Sequence, residues 1–518
     1  MPLRYSGGNA LNEWSHIARA AMCPRLRVML SVRSHLFSAL AVLAIGTASP
    51  ASASQDTLQQ RVEAALTAAP AGTRFGLVVT TDDGRELIAI NPDSRFIPAS
   101  NTKMLTTAAV FASMNGLDRP DMAGGAAVRL GSRGRRAPDV ILTGYGDARL
   151  SSAPDCVTNC LAALADAVAA RTRRVRHIIG DDSLFPDQRW SPGMSWNNIQ
   201  SRYGTAISAL TLDNNELAMR VAPGRTGDRP AIDMLPYYEV VNLATTVAEG
   251  ATKLQFHRFP NSRTVRVTGT IAVGAEPETL RLGIDDPAHF AAWRLRALLE
   301  ARGVRVKGET EVRHRPFTPS DDDPAERNGP PAAQPPEAEA LARLTPPPLA
   351  EDLTHVNKVS QNLHSELLIR RLGLVAGSGS IEDGVAAVAG MMERAGVPRT
   401  AWDLSDGSGM STYNRLTPRA VATLLRWAAA QPWGAAWRAT FPIAGVDGTL
   451  ARRFRGTPLE GRLFAKTGSL NATNALSGYM VARSGRTLIF SVYANDVPGD
   501  AGATQVMDAA LALIAEAN

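Results

Sequence analysis

Cysteine, lysine and long apolar runs are all scarce in this sequence, and each shortage excludes something. Only three cysteines occur among 518 residues, and Cys23 falls in a segment expected to be removed, which leaves Cys156 and Cys160. Neither has a nearby histidine or further cysteine to complete a zinc site, so no metal is expected. Outside the cytoplasm the pair is expected to close a small disulfide, with two free thiols as the alternative. No apolar run is long enough to span a bilayer comfortably, which argues against a stable membrane anchor. The formal charge is +6, yet the arginines are scattered and not massed in one stripe, so no nucleic-acid partner is expected. There is no G-x-S-x-G turn of the α/β-hydrolase kind, and no internal repeat. Lysine is the rarest of the charged residues: of 55 lysines and arginines only five are lysine, namely Lys103, Lys253, Lys307, Lys358 and Lys466. Arginine stays protonated where a buried lysine can lose its proton, so the few lysine positions are candidates for proton transfer.

A chain of 518 residues with 45% hydrophobic and 20% charged residues reads as an ordinary globular protein of two or three domains. The first 53 residues are set apart. Arg25, Arg27 and Arg33 precede the apolar run 36–46 and then Ala51-Ser52-Ala53, the layout of a secretory signal with small residues at its cleavage site. The natural start would be Met22 or Met29, nearer the basic region. The mature protein is therefore expected to be exported, periplasmic and soluble.

Beyond the signal, Leu58, Val62 and Leu66 recur at helical spacing. Phe75 to Thr80 and Glu86 to Ile90 read as strands joined by the turn Asp82-Asp83-Gly84. A helix is expected from Ser100, with Met104, Ala108 and Phe111 on its apolar face and Asn115-Gly116 as its stop. Far downstream Leu463 to Thr467, Ala475 to Ala482 and Thr487 to Ala494 read as three strands, followed by a helix over Val506 to Ile514. The two ends thus supply five strands for one antiparallel sheet flanked by helices, an α+β arrangement. The middle shows short strands such as Asp139 to Leu142 and Val265 to Ile271 and few long amphipathic helices, so a β-rich insertion is expected. The expected division is a discontinuous domain of residues 54–117 and 345–518, inserted material over 118–316, and a solvated proline-rich acidic linker over 317–344 that includes Asp321-Asp322-Asp323.

Chemistry enters at Ser100-Asn101-Thr102-Lys103. A spacing of three puts the hydroxyl and the amine on one helical face, where a neutral lysine can take the serine proton, and a helix start offers free N–H groups to an oxyanion. Alone, the motif is as readily a capping serine and a surface lysine. Ser360-Gln361-Asn362 precedes a helix carrying Leu363, Leu367 and Leu372, and singly is a capping sequence. Lys466-Thr467-Gly468-Ser469 ends an expected strand, where glycine lets a substrate backbone lie against the sheet edge. In the order S-x-x-K, S-x-N, K-T-G the three form the serine penicillin-recognising set.

On these residues the chain resembles the low-molecular-mass penicillin-binding proteins of the D-alanyl-D-alanine carboxypeptidase/endopeptidase family. The segments 357–360, 406–411 and 444–450 are similar to that family's wording, as are Gly180 to Phe185 and Ser208 to Asn215, and the long gap between Ser100 and Ser360 matches a family with domains inserted there. The resemblance implies the β-lactamase/transpeptidase-like fold and an acyl-ester on Ser100, with Lys103 as proton acceptor. It implies that Ser360 and Asn362 line the cleft and that Ser360 relays a proton to the departing D-alanine. Lys466 and Thr467 would hold the substrate carboxylate, with Gly468 beside them, and the N–H groups of Ser100 and Ser469 would form the oxyanion hole. Asp181 would meet the free amino end of the peptide's diamino acid. The implied partners are peptidoglycan peptides ending in D-Ala-D-Ala and β-lactam antibiotics, without a cofactor. The chain departs from the pattern at Thr412, where the family often has arginine, and at Gln361, where aspartate is usual. A serine β-lactamase is the nearest rival, but the chain has no convincing acidic deacylation motif and carries a large insertion. A non-catalytic cell-wall-binding protein is opposed by the intact motif residues.

Overall fold

The computed structural model describes residues 57–518, apart from 132–133, 135–136, 328, 330–336 and 500. The expected signal segment and Cys23 lie outside the described residues. Helix α1, Leu58–Leu66, opens with a reciprocal cap in which Thr57 Oγ1 accepts from the Gln60 N–H and Gln60 Oε1 accepts from the Thr57 N–H, satisfying two groups that a helix start leaves unpaired. Strands β1, Arg74–Thr81, and β2, Glu86–Ile90, form the expected hairpin. Helix α2 spans Thr102–Ser113. After a long excursion the chain returns as helices α3, Leu349–Val359, and α4, Asn362–Ala376, and closes with strands β3, Leu463–Leu470, β4, Thr473–Val481, and β5, Thr487–Asn495, and helix α5, Thr504–Ala517.

These five strands form one sheet in the order β3-β4-β5-β1-β2, antiparallel throughout. The fold is α+β, as expected from the strand-like runs and helices at the two chain ends. Strand β1 is buried on both faces because helices cover both sides. Leu77 and Val79 join the core with Val62, Leu511 and Ile514, whereas Val78 points to the core of Met104, Leu105 and Leu368. Period-two alternation thus places β1 between two apolar layers.

The middle of the chain carries further sheets. One of five strands runs in the order Thr310–Arg315, Ile178–Pro186, Asp139–Thr143, Ala127–Gly131 and Ala342–Arg343, the first three parallel and the last two pairs antiparallel. Smaller sheets are built around Glu216–Ala222 and Thr264–Ala272. The strands are not the whole of it, since the helix Pro287–Ala301 also lies here, with Ala288, Ala291, Ala292, Leu295 and Leu299 buried. Asp286 caps it by accepting from the His289 N–H at 2.9 Å, and Pro287 sits in its first turn, a start signal legible in hindsight. The acidic run is not wholly solvated either. Asp321 is buried, accepting from the Thr318 N–H at 2.9 Å and from Arg315 Nη1 at 3.2 Å.

Among the described residues no single helix is long and apolar enough to cross a membrane. Helix α4 and the helix Ile381–Arg394 pass together on composition but are bent by 80°, and their apolar residues Ile369, Leu372, Val388 and Met391 belong to the core.

Candidate active site

The turn that carries Ser100 is held by its neighbours and not by helix formation alone. Ala99–Asn101 is a 3₁₀ turn ahead of α2, so Ser100 stands just before the helix and not within it. Ala99 has φ +47°, a conformation that costs an L-residue on the order of 1 kcal/mol and persists where surroundings enforce it. Asn101 supplies part of that enforcement. Its Nδ2 donates to the Lys466 carbonyl at 2.8 Å, and its Oδ1 accepts from Ser477 Oγ at 2.7 Å, tying the turn to β3 and β4. Gly409 presses from the other side with φ +88°, and a β-carbon there would stand 1.9 Å from the Ala99 carbonyl oxygen.

Lys103 follows one turn later and is fully buried. Its Nζ lies 2.9 Å from Ser100 Oγ, 2.7 Å from Asn362 Oδ1 and 2.5 Å from the Ser408 carbonyl oxygen. Burial pushes its ammonium down to about 7, against the opposing charges of Asp406 and Glu366. A neutral amine has two hydrogens and one lone pair. With Asn362 and Ser408 accepting the two hydrogens, the lone pair is left for the Ser100 hydroxyl.

The carboxylates that act on Lys103 do so from behind a layer of backbone. Glu366 Oε1 accepts from the Gly407 and Ser408 N–H groups at 3.1 and 2.9 Å, while its Oε2 pairs with Arg370. Asp406 accepts from the N–H groups of Gly409 and Ser411 and from Asn414 Nδ2. Burial first, and then the charge of Glu366, raises Asp406 to about 6.

Ser360 sits where α3 ends, at φ +63°. Helix α4 then starts with Gln361 as its cap, Oε1 accepting from the Leu363 N–H at 3.2 Å, so the break between the helices presents Ser360 and Asn362 together. Asn362 Nδ2 also donates to the Tyr203 carbonyl at 2.9 Å.

Lys466 is buried in β3 and donates to Ser360 Oγ and to the Thr467 carbonyl, both at 2.8 Å. Burial, and then the charge of Lys103, hold it well below the ordinary lysine range. No carboxylate pairs with it among the described residues. Thr467 Oγ1 is 2.8 Å from Thr449 Oγ1. Lys466 to Ser469 do not end the strand, as expected, but run through it, because β3 pairs with β4 as far as Leu470. That keeps them on an edge strand beside the Ser100 turn. Gly468 permits the approach, since a β-carbon there would stand 2.7 Å from the Pro98 carbonyl oxygen.

Hydrogen bonds thus gather these residues in two sets, Lys103 with Ser100 and Asn362, and Lys466 with Ser360. Asp181 is not brought into them. It is buried in Ile178–Pro186, pairs with Arg313 Nη1 at 2.8 Å and accepts from the N–H and O–H of Ser183 at 3.1 and 2.6 Å. Cys156 and Cys160 are joined in a disulfide. Thr412 Oγ1 donates to the Gly193 carbonyl at 3.0 Å. Sequence reasoning assigned no role to Asn101, Glu366, Asp406 or the Ser408 carbonyl. The segment Asp406 to Ser411 was nonetheless marked by its similarity to family wording.

The model of the D-Ala-D-Ala carboxypeptidase 3 (S13) family matches residues 58–517. A D-alanyl-D-alanine carboxypeptidase of Actinomadura sp. (strain R39) is 33% identical over 457 residues, covering 85% of this chain and 80% of the relative. The penicillin-sensitive carboxypeptidase A of Dictyostelium discoideum is 24% identical over 465 residues, covering 82% of this chain and 84% of the relative. Among solved structures, penicillin binding protein 4 (dacB) of Haemophilus influenzae superposes with a TM-score of 0.72 at 20% identity, over 88% of this chain and 97% of that one.

Proposed function

The chain belongs to the D-Ala-D-Ala carboxypeptidase 3 (S13) family, and on that premise we propose that it works through an acyl-ester on Ser100, formed with Lys103 as base. The observation that carries this reading is the 2.9 Å approach of Lys103 Nζ to Ser100 Oγ, combined with burial that lowers the amine to about 7. Ser100 Oγ attacks the carbonyl carbon between the two D-alanines and its proton passes to Lys103 Nζ. The backbone N–H groups of Ser100 and Ser469 receive the oxyanion. The peptide C–N bond then breaks as Ser360 relays a proton from Lys466, which donates to it at 2.8 Å, to the departing D-alanine nitrogen. Water then attacks the ester and returns a proton to the Ser360–Lys466 pair, while Lys103 gives its proton back to Ser100 Oγ.

Lys466 supports the recognition half of the reading. A buried lysine without a counter-ion is costly, and a terminal carboxylate supplies the missing negative charge beside Thr467. Asp181 is left out of the proposed set because Arg313 already neutralises it. A β-lactamase would need an acid free to drive water onto the ester. Glu366 and Asp406 are instead occupied by backbone N–H groups.

The same reading makes the protein an exported enzyme of the periplasm, released by removal of residues 1–53, with residues 54–117 and 345–518 as its peptidase domain. Its substrates would be stem peptides and also cross-links, and β-lactams would acylate Ser100. The test is labelling with fluorescent penicillin, followed by mass analysis of muropeptides digested by the purified protein. Loss of one D-alanine from pentapeptides and loss of label in Ser100→Ala are expected. Label that survives Ser100→Ala overturns the assignment.

A further inference from the structure

The sheet around Thr264–Ala272 leaves one face open. Val265, Val267 and Ile271 of this strand point into the core, which leaves Thr264, Arg266 and Thr268 in a row on the other face. His257 lies directly across from Arg266 on the neighbouring strand, Lys253–His257. This row lines a cavity of about 690 Å³ whose other residues include Trp196, Leu243 and Phe259. They are 63%, 51% and 72% exposed and line one cavity together, and it is exposed apolar side chains gathered in one place that mark an interaction surface. Part of the polar lining is likewise unspent. Arg266, His257 and Thr268 make no side-chain hydrogen bond or ion pair among the described residues.

The lining is selective in charge. It holds no carboxylate: Arg258 is already paired with Asp285, Arg266 has no acidic partner among the described residues, and Glu239, opposite Thr264 in the sheet, does not line the cavity. Open aromatic faces, amides, hydroxyls and unpaired basic groups together match pyranose rings that carry acetamido groups and acidic substituents. Sugar rings present C–H faces to stack on aromatics, and their hydroxyl and amide edges need donors and acceptors.

The cavity wall is also tied to the catalytic cleft through the chain. Gln200 Oε1 accepts from the Arg258 N–H at 2.9 Å, and three residues later the Tyr203 carbonyl accepts from Asn362 Nδ2. One segment, residues 196–203, therefore walls the cavity at its start and touches the S-x-N motif at its end. We propose that this cavity is a second site that binds the amino-sugar strand of peptidoglycan, with Trp196 and Phe259 stacking on sugar rings and Arg266 and His257 meeting carboxylates of the attached peptides. The inference rests on the D-Ala-D-Ala peptidase reading for the identity of the polymer. It adds a contact with the strand from which the cleaved peptide hangs.

The experiment uses the whole purified protein, first acylated with penicillin so that the cleft is blocked, and measures co-sedimentation with purified sacculi. The double variant Phe259→Ala with Arg266→Gln is expected to bind sacculi at least about tenfold more weakly. It should still hydrolyse a soluble D-Ala-D-Ala pentapeptide with kcat/KM within about twofold of the parent. A hexamer of N-acetylglucosamine should displace the parent from sacculi, and the free pentapeptide should not. Unchanged sedimentation of the double variant, or displacement by the pentapeptide and not by the sugar hexamer, overturns the proposal. Failure of the parent to hydrolyse the soluble pentapeptide would instead count against the peptidase reading, which sedimentation does not measure.

Discussion

Lys466 donates to the hydroxyl of Ser360 at 2.8 Å, and it does so across a residue held at φ +63°. The strained backbone and the hydroxyl can be separated by substitution. Glycine accepts the left-handed conformation without a β-carbon, whereas alanine keeps the strain and loses the hydroxyl. Ser360→Gly is therefore expected to be more stable than Ser360→Ala by about 1 kcal/mol, read from denaturant midpoints. Both should release D-alanine at least about 100-fold more slowly than the parent. Near-parental release by either variant would remove Ser360 from the proton path.

The lowered amine of Lys103 sets a pH dependence. A base must be neutral to accept a proton, so the acylation rate should climb as pH rises through about 7 and level off above it. The sign follows from burial: desolvation lowers the amine, which gains its proton only below about 7. Asp406, raised to about 6, is half-protonated at that point and loses most of its charge below it, and with it part of its pull on Lys103. Second-order acylation by penicillin, followed by stopped flow between about pH 5 and 9, checks this. A flat profile over that range would mean that no group titrating near 7 is needed.

Much of this site was legible in the sequence because its chemistry is local or lysine-borne. The ordered S-x-x-K, S-x-N and K-T-G motifs pair Ser100 with Lys103, and strand-like runs at the two chain ends mark the five strands. The unread parts depend on distant partners. Left-handed Ala99 lies close against Gly409, some three hundred residues away in sequence, and Asp181 pairs with Arg313, 132 positions on. Similarly, the strand through Lys466 to Ser469 is continued by its pairing with β4, which a glycine after a threonine does not announce. Glu366 reads as an ordinary helical residue until its carboxylate is seen to accept from Gly407 and Ser408.

Gly409 gives a sharper test of the turn than any change to Ser100 itself. A β-carbon at this position would meet the Ala99 carbonyl oxygen at 1.9 Å, from a backbone already at φ +88°. Either the Ser100 turn or the segment Asp406 to Ser411 must shift. Gly409→Ala should lower stability by about 2–4 kcal/mol and slow acylation at least about 100-fold, since misplacement of a nucleophile by roughly 1 Å is that costly. Thermal melting and penicillin labelling rates on the same preparation read the two effects. Acylation within about threefold of the parent would show that the turn tolerates the shift.

The strongest discriminator is Lys103→Arg. It keeps a positive charge and much of the length, and this chain uses arginine at nearly every other basic position. If Lys103 served only as an electrostatic clamp for the oxyanion or for Asn362, arginine would retain a large fraction of the rate. As a base it cannot, because a guanidinium stays protonated at any working pH and has no lone pair to offer Ser100 Oγ. The geometry sharpens the contrast. Nζ already meets three acceptors in a fully buried space, and only a neutral amine turns one of those contacts into acceptance of the serine proton. General-base contributions run from about 100-fold to 10,000-fold, so the two cases are well separated. Lys103→Gln serves as the folding control, since its neutral amide can still donate to the Ser408 carbonyl without acting as a base. Both variants should melt cooperatively and acylate at least about 100-fold more slowly than the parent. An acylation rate for Lys103→Arg within about tenfold of the parent would be too small a loss for the base role.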